Sequence, residues 1–152
     1  MENKKIPDKL YFKILENMPI CCVDLIIAQD SKVLLVKRAN EPEKNLWGLV
    51  GGRIFKKESL LNAAKRKAVE EIGVEIDVGK MVCISETIFN TGSYKNLKTG
   101  VHTMNITFLA KLKNPKSIKI DKSILEYKWF DKIDNEIAEY VKKVLKDTNV
   151  FN

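Results

Sequence analysis

The chain has 152 residues, 45% of them hydrophobic, which suits one domain with its own core and removes the need for metal or disulfide staples. No apolar run reaches the roughly 18 residues of a membrane helix, and the opening MENKKIPDKLYFKILENMP is charged and broken by Pro7, unlike a signal peptide, so a cytoplasmic protein is expected. A formal charge of +7 suits polyanionic partners, but the lysines are scattered and no nucleic-acid recognition motif occurs, so a small anionic substrate is expected in place of nucleic acid.

Residues 8–17 form an expected short helix with Leu10, Ile14 and Leu15 on one side. Residues 20–28 (ICCVDLIIA) read as a buried strand interrupted by one acid, Asp24. Asp30 and Ser31 turn the chain into a second strand at 32–38, giving a hairpin that ends on Lys37 and Arg38. A polar loop at 39–46 leads to WGLVGGRI, whose glycine pair marks a bend or a close approach of backbone. Residues 58–72 are helical, with Leu60, Leu61, Ala64, Ala68, Val69 and Ile72 at three- and four-residue spacing and Gly73 as the stop. Strands follow near 75–89, 102–112 and 125–131, with the polar loop NTGSYKNLKTG between the first two, and a last helix at 134–147. Alternating helices and strands give an α/β class: a mixed sheet sandwiched between helices, as one domain over 1–152. Cys21, Cys22 and Cys83, an odd set without CxxC spacing, read as small core residues.

The chemistry concentrates in 51–74, GGRIFKKESLLNAAKRKAVEEIGV. Glu58 enters the helix at its positive dipole end. Arg66 and Glu70 lie one turn apart, as do Lys67 and Glu71. A glycine loop folded back along this helix can face these carboxylates with its backbone and add a carbonyl to a metal site. Magnesium takes one or two carboxylates plus substrate phosphate, so loop and helix form a credible metal–diphosphate site. The plainer alternative is a solvated helix whose pairs are Arg66 with Glu70 and Lys67 with Glu71.

This segment resembles the Nudix box: Gly, five residues, Glu, seven residues, then Arg-Glu-apolar-any-Glu-Glu-any-Gly-apolar. Gly52, Glu58, Arg66, Glu70, Glu71, Gly73 and Val74 fall in register. Six specified types coincide by chance about once in ten million registers. The resemblance implies a Nudix α/β/α sandwich and magnesium-dependent (or manganese-dependent) hydrolysis of a nucleoside diphosphate derivative; a homodimer is compatible with the sequence, which does not give the oligomeric state. One position departs: Lys67 stands where the box has an acid, and a protonated lysine is no metal ligand. Its ammonium can replace part of a second cation's charge.

The departure is shared with the GDP-mannose mannosyl hydrolase branch, which the chain also resembles in Asp24, Lys37-Arg38 and Gly51-Gly52-Arg53. That resemblance implies metal at the Gly52 (or Gly51) carbonyl and Glu71, with Glu70 as a further ligand or water-positioning group. It implies diphosphate contacts from Arg38 and Arg53 and attack at the sugar carbon; Asp24 and Lys37 are further candidates for substrate contact, or else a strand acid paired with a solvated base, and Arg53, Arg66 and Glu70 are the candidates for catalysis. Arg66 is expected to fix Glu58 and the helix. The branch has a Gln-His pair where DKSILEYKWF holds none, near Ser123 and Ile124. Glu70, Asp121, Glu126 and His102 are the alternatives for the base. Trp47 reads as core or pocket wall, and Trp129 as core. Two other readings stay open: pyrophosphohydrolysis of nucleoside triphosphates or ADP-ribose-like substrates, and a catalytically silent nucleotide-binding domain. The loops 39–46 and 90–100 are expected to decide substrate choice.

Overall fold

A computed structural model describes residues 5–90 and 97–151. In chain order they form α1 (Asp8–Asn17), β1 (Ile20–Gln29), β2 (Lys32–Arg38), β3 (Trp47–Gly48), β4 (Val50–Arg53), α2 (Leu60–Ile72), β5 (Ile76–Phe89), β6 (Val101–Leu112), β7 (Ile124–Phe130) and α3 (Glu139–Asp147). The strands make one mixed sheet, β3-β2-β1-β6-β5, with β4 also on β1 and β7 also on β2. Among the described strand pairs only β1–β6 is parallel. Among the described residues no helix is long and apolar enough to cross a membrane.

The β1–β2 hairpin closes on Asp30 and Ser31, both at positive φ (50° and 61°). Two such residues in succession match the right-handed twist of the flanking strands. Ile27 to Gln29 of β1 pair with β2, whereas Cys22 to Leu25 pair with β4. One edge of β1 is therefore shared, and β4 carries the glycine pair alongside Asp24.

Alternation along β1 sorts the two faces of the sheet. Val23, Leu25 and Ile27 join the core under α2, where Ala63, Ala64 and Ala68 let the helix lie close to the strands. On the other face Cys22 joins a cluster with Leu15 of α1, and Ile26 joins one with Val141, Val144 and Leu145 of α3. Asp24 lies between these two clusters. That gap in the apolar packing is where a buried acid can face something other than hydrocarbon.

Several expectations shift. Leu10 is exposed while Leu15 carries the buried side of α1, and Leu61 and Val69 are exposed on α2 because Ala63, Ala64, Ala68, Glu71 and Ile72 take the sheet-facing stripe. Ser59 caps α2 by accepting from the Asn62 N–H, so the helix starts at Leu60. Gly73 ends it at φ 68°, as expected of a left-handed cap. The last helix starts at Glu139 rather than 134, because Asp134 turns the chain by accepting from the Glu136 N–H. Cys22 is buried, but Cys21 is exposed on the opposite side of the strand and Cys83 is intermediate, so only one of the three is a fully buried core thiol. Trp47 is core; Trp129 is half-buried against the α2 cluster.

Candidate active site

Arg66 organises the approach to α2. Its Nε and Nη2 donate to the two Glu58 oxygens at 2.6 and 2.9 Å, and Nη2 also reaches the Arg53 carbonyl at 2.9 Å. Nη1 donates to Glu70 at 3.0 and 3.1 Å. Glu58 in turn accepts from the Phe55 N–H at 3.0 Å. This bidentate pair clamps the 53–58 segment onto the helix. Bonding to Arg66 holds the Glu58 carboxyl below its usual range. The expected role of Arg66, fixing Glu58 and the helix, is what these contacts describe.

On the next residue, Lys67 Nζ stands 3.1 Å from Glu71 Oε1 and 3.2 Å from Glu70 Oε2. Both pairs of the plainer alternative, Arg66–Glu70 and Lys67–Glu71, are thus formed. The second is no solvated surface pair, however: the Lys67 and Glu71 side chains are only 15% and 12% exposed, against 43% for Glu70. Burial pulls the Lys67 ammonium down, but Glu71 and Glu70 outweigh it and hold it above its ordinary value. Glu71 also accepts from the Gly51 N–H at 3.3 Å. The glycine strand does fold back along the helix.

Gly51 has no room for a side chain, whereas Gly52 stands against the flexible end of one. A Cβ on Gly52 would lie 2.8 Å from Lys67 Cε, and one on Gly51 would collide with the Val23 carbonyl and the Asp24 carboxylate. Gly51 pairs with Asp24 in the β1–β4 ladder. The same peptide segment thus touches Glu71 on the α2 face and Asp24 on the other.

Beyond Asp24 lies a half-open cavity of about 170 Å³, lined by Arg38, Gly51, Gly52 and Asn105 among others. Asp24 Oδ2 accepts from Asn105 Nδ2 at 2.9 Å. Burial raises the Asp24 carboxyl from 3.8 to about 7, against the bond from Asn105. The β2–β7 ladder shifts register between Lys37 and Arg38. Strict alternation stops there, and Arg38 reaches the cavity while its Nε donates to the Pro42 carbonyl at 2.8 Å. Tyr140 of α3 and Glu43 of the 39–46 loop complete that side. The loop expected to influence substrate choice therefore does line the cavity; most of the other, 91–96, lies outside the described residues.

The structure brings Gly52, Glu70 and Glu71 together around Lys67, and Asp24 with Arg38 around the cavity. Lys37 and Arg53 are not among the cavity's lining. Lys37 lies over the Trp47 ring, 5.4 Å from its centre, on the α3 face. The Arg53 guanidinium lies over Tyr11 and Phe55, at 4.9 and 5.1 Å, one ladder step from Gly52. Of the groups considered as a base, His102 pairs with Glu86 at 3.0 Å in an exposed position, and Asp121 is taken up by Ser123. Glu126 is exposed on β7 opposite Lys37. Thr103, Asn105, Phe89 and Tyr140 escaped the sequence reading. The signal present for two of them is the alternation of Thr103, Asn105 and Thr107 with Met104, Ile106 and Phe108, a polar face on a strand beside Asp24.

Among the described residues no three His, Cys, Asp or Glu side chains converge as a complete metal cage. Two carboxylates, already drawn to a cation, lie beside a glycine backbone. Magnesium takes a similarly sparse protein set when phosphate supplies the rest, so the residues fit an ion that arrives with the substrate.

The NUDIX domain family matches residues 19–147. A protein of Haloferax volcanii described as a low-salt glycan biosynthesis protein, Agl8, is 30% identical over 141 residues, 93% of this chain and 89% of that protein. The CTP pyrophosphohydrolase of Escherichia coli is 39% identical over 61 residues, 40% of this chain and 45% of that one. Among solved structures, a MutT NUDIX hydrolase from Burkholderia pseudomallei superposes with a TM-score of 0.73 at 22% identity, covering 86% of this chain and 98% of that one. The chain belongs to the Nudix family of hydrolases, and its fold is the α/β/α sandwich expected of it. Members of this family act on nucleoside diphosphate derivatives, in general with a divalent cation.

Proposed function

We propose that this hydrolase prefers nucleotide sugars of the GDP-mannose kind, with magnesium as its first ion and manganese as a substitute, and releases the nucleoside diphosphate intact. The observation that carries this is the Lys67 ammonium between Glu70 and Glu71, at the position where the general box has an acid. One positive charge is built into the site, which favours a sparse metal complement. A leaving diphosphate needs its developing charge balanced and does not need several ions around an attacked phosphorus. The relative matched along most of its length works in glycan biosynthesis, which agrees with a sugar substrate.

Glu71, Glu70 and the Gly52 carbonyl are the groups that would hold the ion. When bound, magnesium neutralises the diphosphate and orients it for departure. Arg38 at the cavity, and Arg53 if its guanidinium swings from Tyr11 and Phe55, add charge-assisted bonds to the leaving phosphates. Asp24 faces the cavity and takes the proton of the attacking water, a task suited to a group that titrates near neutrality. The water oxygen bonds to the anomeric carbon while the carbon–oxygen bond to the diphosphate breaks, its electron pair leaving with the nucleoside diphosphate. Arg66 keeps Glu58 and the 53–58 segment in place.

Hydrolysis in heavy-oxygen water, over a panel of nucleotide sugars, nucleoside triphosphates and dinucleotides, tests the reading. Label in the sugar supports it; label in phosphate overturns it. The second outcome would establish pyrophosphohydrolysis, which the lack of histidine in DKSILEYKWF and the partial match to CTP pyrophosphohydrolase favour.

A further inference from the structure

The cavity wall contains hydrogen bonds that run in one direction. Asn105 Nδ2 donates to Asp24 Oδ2 at 2.9 Å, which turns Asn105 Oδ1 the other way. The ionised Asp24 carboxylate can only accept, which fixes this orientation of the amide. Asn105 Oδ1 then accepts from Thr103 Oγ1 at 2.7 Å, and at 3.5 Å from Thr87 Oγ1. Thr103 and Asn105, two residues apart on β6, share a face of the sheet, and Thr87 sits opposite Thr103 on β5. A threonine hydroxyl has one proton, and that of Thr103 is committed to Asn105. What Thr103 presents to a ligand is an oxygen with free lone pairs.

The cavity therefore offers opposite chemistry from different residues. Arg38 carries only donors and asks for an anion. Thr103 asks for a neutral donor such as a hydroxyl. Phe89 and Tyr140, an edge-on ring pair with centres 6.3 Å apart, give the same cavity an apolar wall suited to the face of a ring. At about 170 Å³ the space is smaller than the roughly 300 Å³ and more of pockets that enclose whole ligands, so one ring fits and a dinucleotide does not.

We propose that Thr103, positioned by Asn105, is the specificity contact for the sugar joined to the diphosphate, accepting a hydrogen bond from one of its hydroxyls. This rests on the nucleotide-sugar reading above. It is tested by a cycle between protein and substrate hydroxyls: the parent, Thr103→Val and Thr103→Ser, each with GDP-mannose and its monodeoxy analogues. Valine is isosteric and suits a strand, so the fold is retained. Thr103→Val should lower kcat/KM for GDP-mannose by roughly ten- to a hundredfold, and Thr103→Ser should restore most of it. One deoxy analogue should show that loss with the parent and no further loss with Thr103→Val. Equal deoxy penalties in parent and Thr103→Val, or unchanged efficiency of the valine variant, would overturn the proposal. If the parent cleaves nucleoside triphosphates but no nucleotide sugar, the nucleotide-sugar reading fails on its own. The same cycle with CTP and dCTP then decides separately whether Thr103 reads a ring hydroxyl: a valine penalty confined to CTP retains the contact, and an equal penalty removes it.

Discussion

Lys67 Nζ and Glu71 Oε1 form a 3.1 Å ion pair withdrawn from solvent at the position where the Nudix pattern places two acids one turn apart. The ammonium occupies ground that a second divalent ion would need. The parent should bind one magnesium per site in calorimetric titration with a non-hydrolysable substrate analogue. Lys67→Glu, which exchanges a like charge for a hard ligand, should add a second ion or tighten the first by about tenfold or more. Two tightly bound ions in the unmutated protein would sink this account and favour attack at phosphorus.

Glu71→Gln keeps an acceptor for the Gly51 N–H while removing the ligand charge. Turnover should fall by roughly a hundredfold or more, with the circular dichroism spectrum unchanged. Because Lys67 retains Glu70 at 3.2 Å, its charge is not left alone, and the fold should survive. Hydrolysis of the best substrate at the parent rate would remove Glu71 from the metal site.

Arg53→Ala separates packing from catalysis. Its stacking on Tyr11 and Phe55 is worth about 0.5–1 kcal/mol at a partly open site, so thermal stability should drop by only a few degrees. A phosphate contact made in the transition state is worth more, and kcat should fall by about tenfold or beyond. If only the melting temperature changes, Arg53 is a packing residue of α1 and nothing else.

Asp24 makes stability depend on pH. Its folded value of about 7 lies above the ordinary 3.8, so between those limits the folded protein holds the extra proton. Stability should therefore fall as pH rises from about 4 to about 7, by an amount on the order of a few kcal/mol, and level off above. Asp24→Asn, in chelator and without nucleotide, should flatten that slope and raise the melting temperature at pH 8 but not at pH 4, while depressing activity. An unchanged slope in the variant would place the titration elsewhere.

The α2 half of the site was legible because it is local. Glycine register, helix spacing and the cap at Gly73 all fall within 51–74, and geometry one turn apart is fixed by the helix itself. The sheet was legible too, since alternation and turn residues mark β1, β2, β5 and β6 within a residue or two. The cavity was not. Its wall joins Asp24, Arg38, Asn105 and Tyr140, which only the parallel β1–β6 register and the docking of α3 bring together. Lys37 and Arg38 looked equivalent as neighbours at a strand end. The register shift between them sends one to the Trp47 ring and the other to the cavity, and no pattern in the sequence announces that shift.

The placement of Gly51, with Glu71 on one side and Asp24 on the other, makes the sheet a partition with a single shared panel. The Lys67, Glu70 and Glu71 charges occupy the α2 compartment, and Asp24 and Arg38 occupy the other beside Phe89 and Tyr140. Glu71 and Asp24 also sense each other's charge across this strand, so substitutions in the two compartments should couple when tested on one substrate. Any change at Gly51 disturbs both compartments together, because a Cβ there meets Asp24 while its N–H is bonded to Glu71.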